Sequence, residues 1–170
     1  MELVFAFVLS LSVVFDLRER KIPNALTLGG LLAALALRFA MDPASVWAGL
    51  LGAGLGLLVA LPLFAVGAFG AGDGKLLVAV GAFLGWQGLP AAVLATAVFG
   101  GILSIFSLAR RGVLAPALRR VWELALFWIT AGRFGKRRTL DSASGDSAVP
   151  YGVAIAAGAA LIWITGITIP

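Results

Sequence analysis

The fold is decided by residues 46–109, which read VWAGLLGAGLGLLVALPLFAVGAFGAGDGKLLVAVGAFLGWQGLPAAVLATAVFGGILSIFSLA. Asp73 and Lys75 are the only charged residues in this stretch. The apolar residues surround each helical segment instead of marking one face, and the runs approach the roughly 20 residues that cross a bilayer. We therefore expect transmembrane helices, and an ionisable residue beside them is expected to have a function.

The same composition continues along the 170 residues, of which 61% are hydrophobic and 12% charged. This predicts an all-α integral membrane protein, with residues 1–170 forming one domain built as a six-transmembrane-helix bundle. The predicted helices cover about 1–16, 25–40, 46–69, 75–88, 89–109 and 149–168. The fourth and fifth are separated within residues 85–90, which combine glycines, a proline and a tryptophan.

The basic residues predict the orientation. All but one of the 13 Lys and Arg residues follow predicted helices 1, 3 and 5. By the positive-inside rule these ends are cytoplasmic, so both termini would lie outside a bacterial cytoplasmic membrane. The exception is Arg38, at the other end of helix 2, and its aliphatic stem is expected to snorkel to that interface.

Residues 110–148 are predicted to be a cytoplasmic segment. Part of it forms a basic amphipathic helix on the membrane surface, with Trp122 and Trp128 at the level of the lipid headgroups. The sequence pI of about 10.8 then reflects contact with anionic lipid headgroups. No nucleic-acid-binding motif accompanies the basic residues, so nucleic acid is not expected as a partner.

Two carboxylates are the candidate catalytic groups. The chain has no cysteine and no histidine, which excludes thiolate nucleophiles and the commonest neutral-pH base. Asp16 ends helix 1 and Asp73 follows helix 3, so an outward and an inward crossing place both at the cytoplasmic face. Each also has a plainer explanation: Asp16 as a solvated helix end, and Asp73 as the N-cap of helix 4.

If Asp16 and Asp73 meet, their charges limit their chemistry. Like charges about 4 Å apart at an effective dielectric near 20 repel by roughly 4 kcal/mol, so both could not be ionised at neutral pH. One carboxylate would take a proton from water, and the other, protonated, would polarise a substrate carbonyl. Gly70, Gly72 and Gly74 would let another segment approach, although they are equally compatible with a plain turn.

Four further polar or proline residues flank these acids. Pro23 is expected to fix the start of helix 2, and Asn24 to be its N-cap. Arg18 could hold Asp16 or contact a substrate, and Lys75 could act on the acid pair. Both cations could equally be anchors at the cytoplasmic interface.

Three segments together resemble the type IV prepilin peptidases. Asp16-Leu17-Arg18-Glu19-Arg20-Lys21-Ile22-Pro23-Asn24 is similar to their D-x-R-x-x-x-I-P-N signature, Gly70-Ala71-Gly72-Asp73-Gly74-Lys75-Leu76 to G-x-G-D-x-K-L, and Pro150-Tyr151-Gly152 to the start of their last helix. The resemblance implies a membrane aspartyl endopeptidase without cofactor or metal, which removes the short basic leader of pilin-like precursors at the cytoplasmic face. Asp16 and Asp73 would be the catalytic pair.

The resemblance also indicates which branch of the family this chain is most similar to. Larger bacterial members carry an N-terminal region with paired cysteines that accompanies methylation, and this chain has no cysteine. It therefore resembles the small branch serving Flp-type pili of tight-adherence systems, for which no methyltransferase activity is expected. Archaeal preflagellin peptidases share the acid pair and stay open as an alternative.

Two other readings are weaker. Presenilin and signal peptide peptidase also use G-x-G-D, but Phe15-Asp16 stands where they have Tyr-Asp, and Pro116-Ala117-Leu118 lies in a basic segment. A non-enzymatic reading is a small proton- or cation-coupled transporter or a pilus-assembly factor. Transporters commonly show internal repeats and broken helices near the midplane. No repeat is evident here, and both acids fall at the membrane edge, which favours the protease.

Overall fold

The fold was obtained as a computed structural model that describes residues 1–19, 21–65, 67, 69–110, 112, 119, 122 and 151–167. Within them the chain forms five helices: α1 (Glu2–Glu19), α2 (Asn24–Met41), α3 (Ser45–Ala65), α4 (Ala71–Arg110) and α5 (Tyr151–Thr165). No strand occurs among the described residues, which confirms the all-α prediction. The helices α2, α3 and α4 are long and apolar enough to cross a membrane. The count of six spans stays a prediction.

The chain divides into two compact units. One comprises Met1–Gly100 together with Pro150–Pro170, and the other comprises Gly101–Val149. In the second unit the Arg110 guanidinium lies 4.4 Å from the centroid of the Phe106 ring. Most of the predicted surface segment, including Trp128, lies outside the described residues, and Trp122 is exposed.

The helix α4 consists of two helical arms joined at Gly85, whose φ of 75° and ψ of 175° are not helical. Tyr151 contacts residues near both ends of the pair: its ring centroid lies 5.6 Å from that of Phe69, and a Cβ on Gly100 would lie 3.4 Å from its ring. A straight helix would separate residues 69 and 100 by about 45 Å. Residues 71–84 and 86–100 therefore fold back on each other, and glycine supplies the left-handed backbone at the turn.

Arg38 holds the end of the first arm. Its Nε donates a hydrogen bond to the Ala82 carbonyl at 2.8 Å, its Nη2 to the Phe83 carbonyl at 2.9 Å, and its Nη1 to the Ser45 carbonyl at 3.2 Å. The non-helical backbone at Gly85 interrupts the helical hydrogen bonds at this point, which leaves carbonyls that need donors. The guanidinium is thus bound by these carbonyls and by the negative end of the helix dipole, and its position relative to the membrane interface stays a prediction.

The core of the first unit surrounds residues 71–84. Their most deeply buried large side chains, each at most 1% exposed, are Leu76, Leu77, Val80 and Phe83. Phe5 of α1 packs against Phe83, with ring centroids 4.7 Å apart, and against Trp163 of α5 at 4.8 Å. Apolar side chains from three helices thus meet around one aromatic residue of α1.

Glycine allows α3 and α4 to approach each other closely. A Cβ on Gly52 would overlap the carbonyl oxygen of Gly81, and a Cβ on Gly56 would lie 2.8 Å from the carbonyl oxygen of Leu77. Gly52 and Gly56 are four positions apart, a spacing of small residues that permits close packing of helices.

The outer surface of the bundle is apolar. Leu3 is 87% exposed and Ile164 is 82% exposed, and large apolar side chains also project from α2, α3 and α4. Many large exposed apolar side chains are typical of a surface that faces a membrane. Together with the three long apolar helices, these exposed side chains indicate a membrane protein.

Candidate active site

Asp16 belongs to α1, and its side chain contacts the first turn of α5. Its side chain is 6% exposed, and its Oδ2 accepts a hydrogen bond of 3.1 Å from the backbone N–H of Val153 in the first turn of α5. A Cβ on Gly152 would lie 2.7 Å from the same oxygen, so only glycine fits at this position. The helix α1 continues past Asp16 to Glu19, beyond its predicted end, because hydropathy marks the apolar part of a helix rather than its last residue.

Asp73 lies in the first turn of α4 and is half-buried. Its Oδ2 accepts a hydrogen bond of 3.1 Å from the backbone N–H of Gly70, which directly precedes the helix. Asp73 is the third residue of α4 and not its N-cap, so it binds back to the cap residue as the acidic partner of a capping box does. The contact fixes the side chain without involving its second oxygen.

The glycines at the start of α4 bring its first turn close to two other segments. A Cβ on Gly72 would lie 3.2 Å from the Cβ of Ile22, which is 7% exposed, and a Cβ on Gly74 would lie 3.3 Å from the Cβ of Ala60 on α3. Ile22 belongs to the connection between α1 and α2, only six positions after Asp16 in the sequence. The first turn of α4, which carries Asp73, therefore packs directly against the segment that follows Asp16.

A hydrogen bond ties the same two segments together at their exposed edge. The Lys75 Nζ donates to the Asn24 Oδ1 at 2.8 Å. The prediction that Asn24 caps α2 is wrong: Pro23 occupies the N-cap position, and no side chain caps the helix. Pro23 directly precedes α2, and its carbonyl accepts the N–H groups of Leu26 and Thr27.

Asp16 is buried and Asp73 is half-buried, each at the end of a helix next to the connection between α1 and α2. Both are only partly solvated, and double ionisation is disfavoured where water screens the charges poorly. Such a pair can provide one proton acceptor and one proton donor. Arg18 is exposed in the last turn of α1, and its part in the site stays a prediction. Within the described residues, no cluster of three His, Cys, Asp or Glu side chains could hold a metal ion.

Gly152 and Val153 touch Asp16, yet sequence analysis assigns them no role. The available signal is the glycine in the Pro-Tyr-Gly segment, placed at the second residue of a helix. Glycine is a poor helix former, so its presence there indicates close approach of another group. The sequence cannot say which group approaches.

Residues 3–105, which include Asp16, Asp73 and the loop between α3 and α4, match the model of the Type IV leader peptidase family. The chain is also similar to the prepilin leader peptidase/N-methyltransferase of Myxococcus xanthus (strain DK1622), with 33% identity over 126 residues. That alignment covers 68% of this chain and 38% of the relative, so the chain spans well under half of the relative's length. No solved structure matches the chain.

Proposed function

The chain belongs to the type IV leader peptidase family, and from this we propose that it is an aspartyl endopeptidase that removes the leader peptide of type IV prepilin-like precursors. The relative from Myxococcus xanthus is named a prepilin leader peptidase, which supports this class of substrate. The proposal concerns leader removal alone. Its catalytic groups are Asp16 and Asp73.

One observation carries the assignment of these groups. The first turn of α4 packs on the connection between α1 and α2 through Gly72 and Ile22, and Lys75 of α4 binds Asn24 at the start of α2. The segments flanking the two acids are thereby adjacent, although they are far apart in the sequence.

The proposed reaction follows from a pair of carboxyl groups that holds one proton. The ionised carboxylate takes a proton from water, whose oxygen attacks the scissile carbonyl carbon, while the protonated carboxyl group gives its proton to the carbonyl oxygen. The tetrahedral intermediate then breaks its C–N bond. The proton taken from water passes to the departing amine, and the other carboxyl group recovers its proton from the intermediate.

The site would face the cytoplasm of a bacterial cell. The basic residues after α1 and α3 flank the two acids, and the positive-inside rule assigns such ends to the cytoplasm. Anionic headgroups would hold these residues at the membrane surface. A precursor anchored by its own apolar helix would then present its leader junction at this depth.

Co-expression with a prepilin-like precursor tests the proposal. The wild type is compared with Asp16→Asn and Asp73→Asn, each retaining the size of the side chain but not its charge. We expect the wild type to shorten the precursor on immunoblots and both variants to lose detectable cleavage. Removal of one member of such a pair typically costs orders of magnitude in rate.

Asp42→Asn is the matched control, because Asp42 is exposed after α2 and its Oδ1 accepts the N–H of Ala44. It should cleave as the wild type does. Membrane fractions must contain all four proteins in similar amounts. Complete leader removal by either Asp16→Asn or Asp73→Asn would refute the acid pair, and failure of the wild type on pilin precursors but not on preflagellins would redirect the substrate assignment.

A further inference from the structure

The first turn of α5 contacts both halves of the candidate site. Val153 donates its backbone N–H to Asp16, and the Tyr151 ring packs on Phe69, with centroids 5.6 Å apart. Phe69 directly precedes Gly70, whose own N–H binds Asp73. A single helical turn is thus connected to one acid by a hydrogen bond and to the other through an aromatic contact and the loop.

The contact with Asp16 is close along the whole side chain. A Cβ on Gly152 would lie 2.7 Å from Oδ2, 2.9 Å from Cγ and 3.1 Å from Cβ of Asp16. A substitution at Gly152 would therefore have to displace the entire carboxyl group, and not merely a flexible tip. Asp16 is buried, so its displacement would also disturb the packing around it.

The electrostatics of this turn favour a carboxylate. The first N–H groups of a helix have no partner within the helix, and Val153 is the third residue of α5. The positive end of the helix dipole also points at Asp16. Because an N–H binds an unprotonated oxygen, a proton on Asp16 would be carried by Oδ1, and the same holds for Asp73, whose Oδ2 accepts the Gly70 N–H.

We propose that residues 151–153 are the positioning site of the acid pair: Val153 fixes the Asp16 carboxylate, and Gly152 provides the space that it occupies. This inference rests on the proposed function, since it assigns the reacting carboxyl groups. Residues 151–153 are positioning residues, because they act on the substrate through Asp16 and Asp73.

The rate of cleavage is expected to depend on pH through Asp16. Few other titratable groups lie near enough to Asp16 to change this dependence. The titratable side chains described on the segments around Asp16 are Asp73 and Lys75 on α4, Tyr151 on α5, and Arg18, Glu19 and Lys21 at the end of α1 and beyond it. The variants below leave all of these side chains unchanged. A shift in the pH profile can then be attributed to the contact between α5 and Asp16.

The main test removes the N–H donor of Val153. Val153→Pro deletes it in the first turn, where proline is tolerated, and Val153→Ala shortens the side chain but keeps the donor. For purified enzyme and a precursor peptide, Val153→Pro should move the acidic limb of the kcat/KM profile to higher pH by about one unit, about tenfold in rate on that limb, because the lost bond stabilises the carboxylate. KM should not change.

A second measurement needs no substrate. A hydrophobic carbodiimide labels protonated carboxyl groups, and peptide mass spectrometry reports the labelled residue. At a fixed pH, Asp16 should be labelled more in Val153→Pro than in the wild type, whereas Val153→Ala should match the wild type. This result would stand even if the wild type cleaved no prepilin, so failure of the proposed function and failure of the inference can be told apart.

Gly152→Ala provides an independent variant if Val153→Pro does not insert in the membrane. It should lower kcat at least tenfold, because a one-ångström displacement of a catalytic group has a large effect on rate. Gly54→Ala is its control, since a Cβ there would meet nothing within 4 Å. An unchanged pH profile and unchanged Asp16 labelling in Val153→Pro, or wild-type kcat in Gly152→Ala, would overturn the inference. If Val153→Pro lost rate equally at every pH, the contact between Val153 and Asp16 would have a merely structural role.

Discussion

At the scale of single residues, the hydrogen bond between Lys75 and Asn24 joins the beginnings of α4 and α2. Asn24→Ala and Lys75→Met should each slow leader removal. Either change removes the hydrogen bond that holds the start of α4, which carries Asp73, against the start of α2. Both changes remove the same bond, so the double variant should be no slower than the slower single variant. Initial cleavage rates of the three variants measure this coupling.

Lys21→Met is the control for this cycle, because it removes an exposed lysine from the same connection and should leave the rate near that of the wild type. Rate losses that simply multiply in the double variant would show that Lys75 and Asn24 act separately.

The sequence singles out Asn24 and Lys75 but does not pair them. Cap preference is a local property, and it makes Asn24 look like a helix cap, whereas its partner lies 51 positions away in the chain. The same holds for Asp16 and Asp73. Motifs and topology can predict that both acids reach one face, and the bond from Gly70 to Asp73 is local, but the N–H group that holds Asp16 is known only once α5 is packed on α1.

At the scale of helices, the reversal at Gly85 depends on Arg38. Arg38→Met should lower the thermal unfolding temperature in detergent, because the Ala82 and Phe83 carbonyls lose charged donors, and each unsatisfied buried acceptor costs about 1–3 kcal/mol. The unfolding temperature of Arg38→Lys should lie between those of Arg38→Met and the wild type, since one ammonium group cannot reproduce the planar set of donors. Thermal melts compare the three proteins.

Cleavage by Arg38→Met should persist at low temperature, where the protein stays folded. Arg110→Met is the control, because Arg110 is exposed and stacks on Phe106. Its unfolding temperature should stay close to that of the wild type. Equal melting of Arg38→Met and the wild type would mean that the carbonyls find other donors.

Helix positions are predicted better than helix ends. Glycine, tryptophan and proline at residues 85–90 correctly locate the reversal, but the predicted division falls after the observed turn at Gly85. Several residues in that segment could break a helix, and packing against α3 and Arg38 selects one of them. Hydropathy likewise predicts that Arg38 lies at a membrane edge, but it gives no information about the carbonyls that bind the guanidinium.

At the scale of the whole molecule, the orientation in the membrane can be tested because the chain has no cysteine. Lys21 and Pro43 are exposed on either side of α2, whose 18 residues span about 27 Å. In intact cells, Pro43→Cys should react with a membrane-impermeant maleimide, whereas Lys21→Cys should react only after lysis. The positive-inside rule gives this expectation.

The cysteine-free wild type gives the background of the labelling experiment. Reaction of Lys21→Cys in intact cells, with protection of Pro43→Cys, would invert the proposed orientation and place the acid pair outside. Cleavage activity of both variants would confirm that each is folded.

The membrane class could be predicted from composition because hydropathy sums over residues and needs no knowledge of contacts. The arrangement of helices could not. Docking of α5 on α1, and the return of residues 86–100 toward Tyr151, depend on glycines whose neighbours come from distant parts of the chain. Local patterns identify such glycines without revealing what they touch.

The bond between Asp16 and Val153 joins residues 137 positions apart, and this separation has a consequence for biosynthesis. A ribosome delivers α1 to the membrane first and α5 afterwards, so a nascent chain carries both acids well before it has the helix that orients one of them. On the proposed function, cleavage can then begin only when the later helix has inserted. Until that moment, an unfinished chain beside other newly made membrane proteins lacks an aligned site with which to cut them.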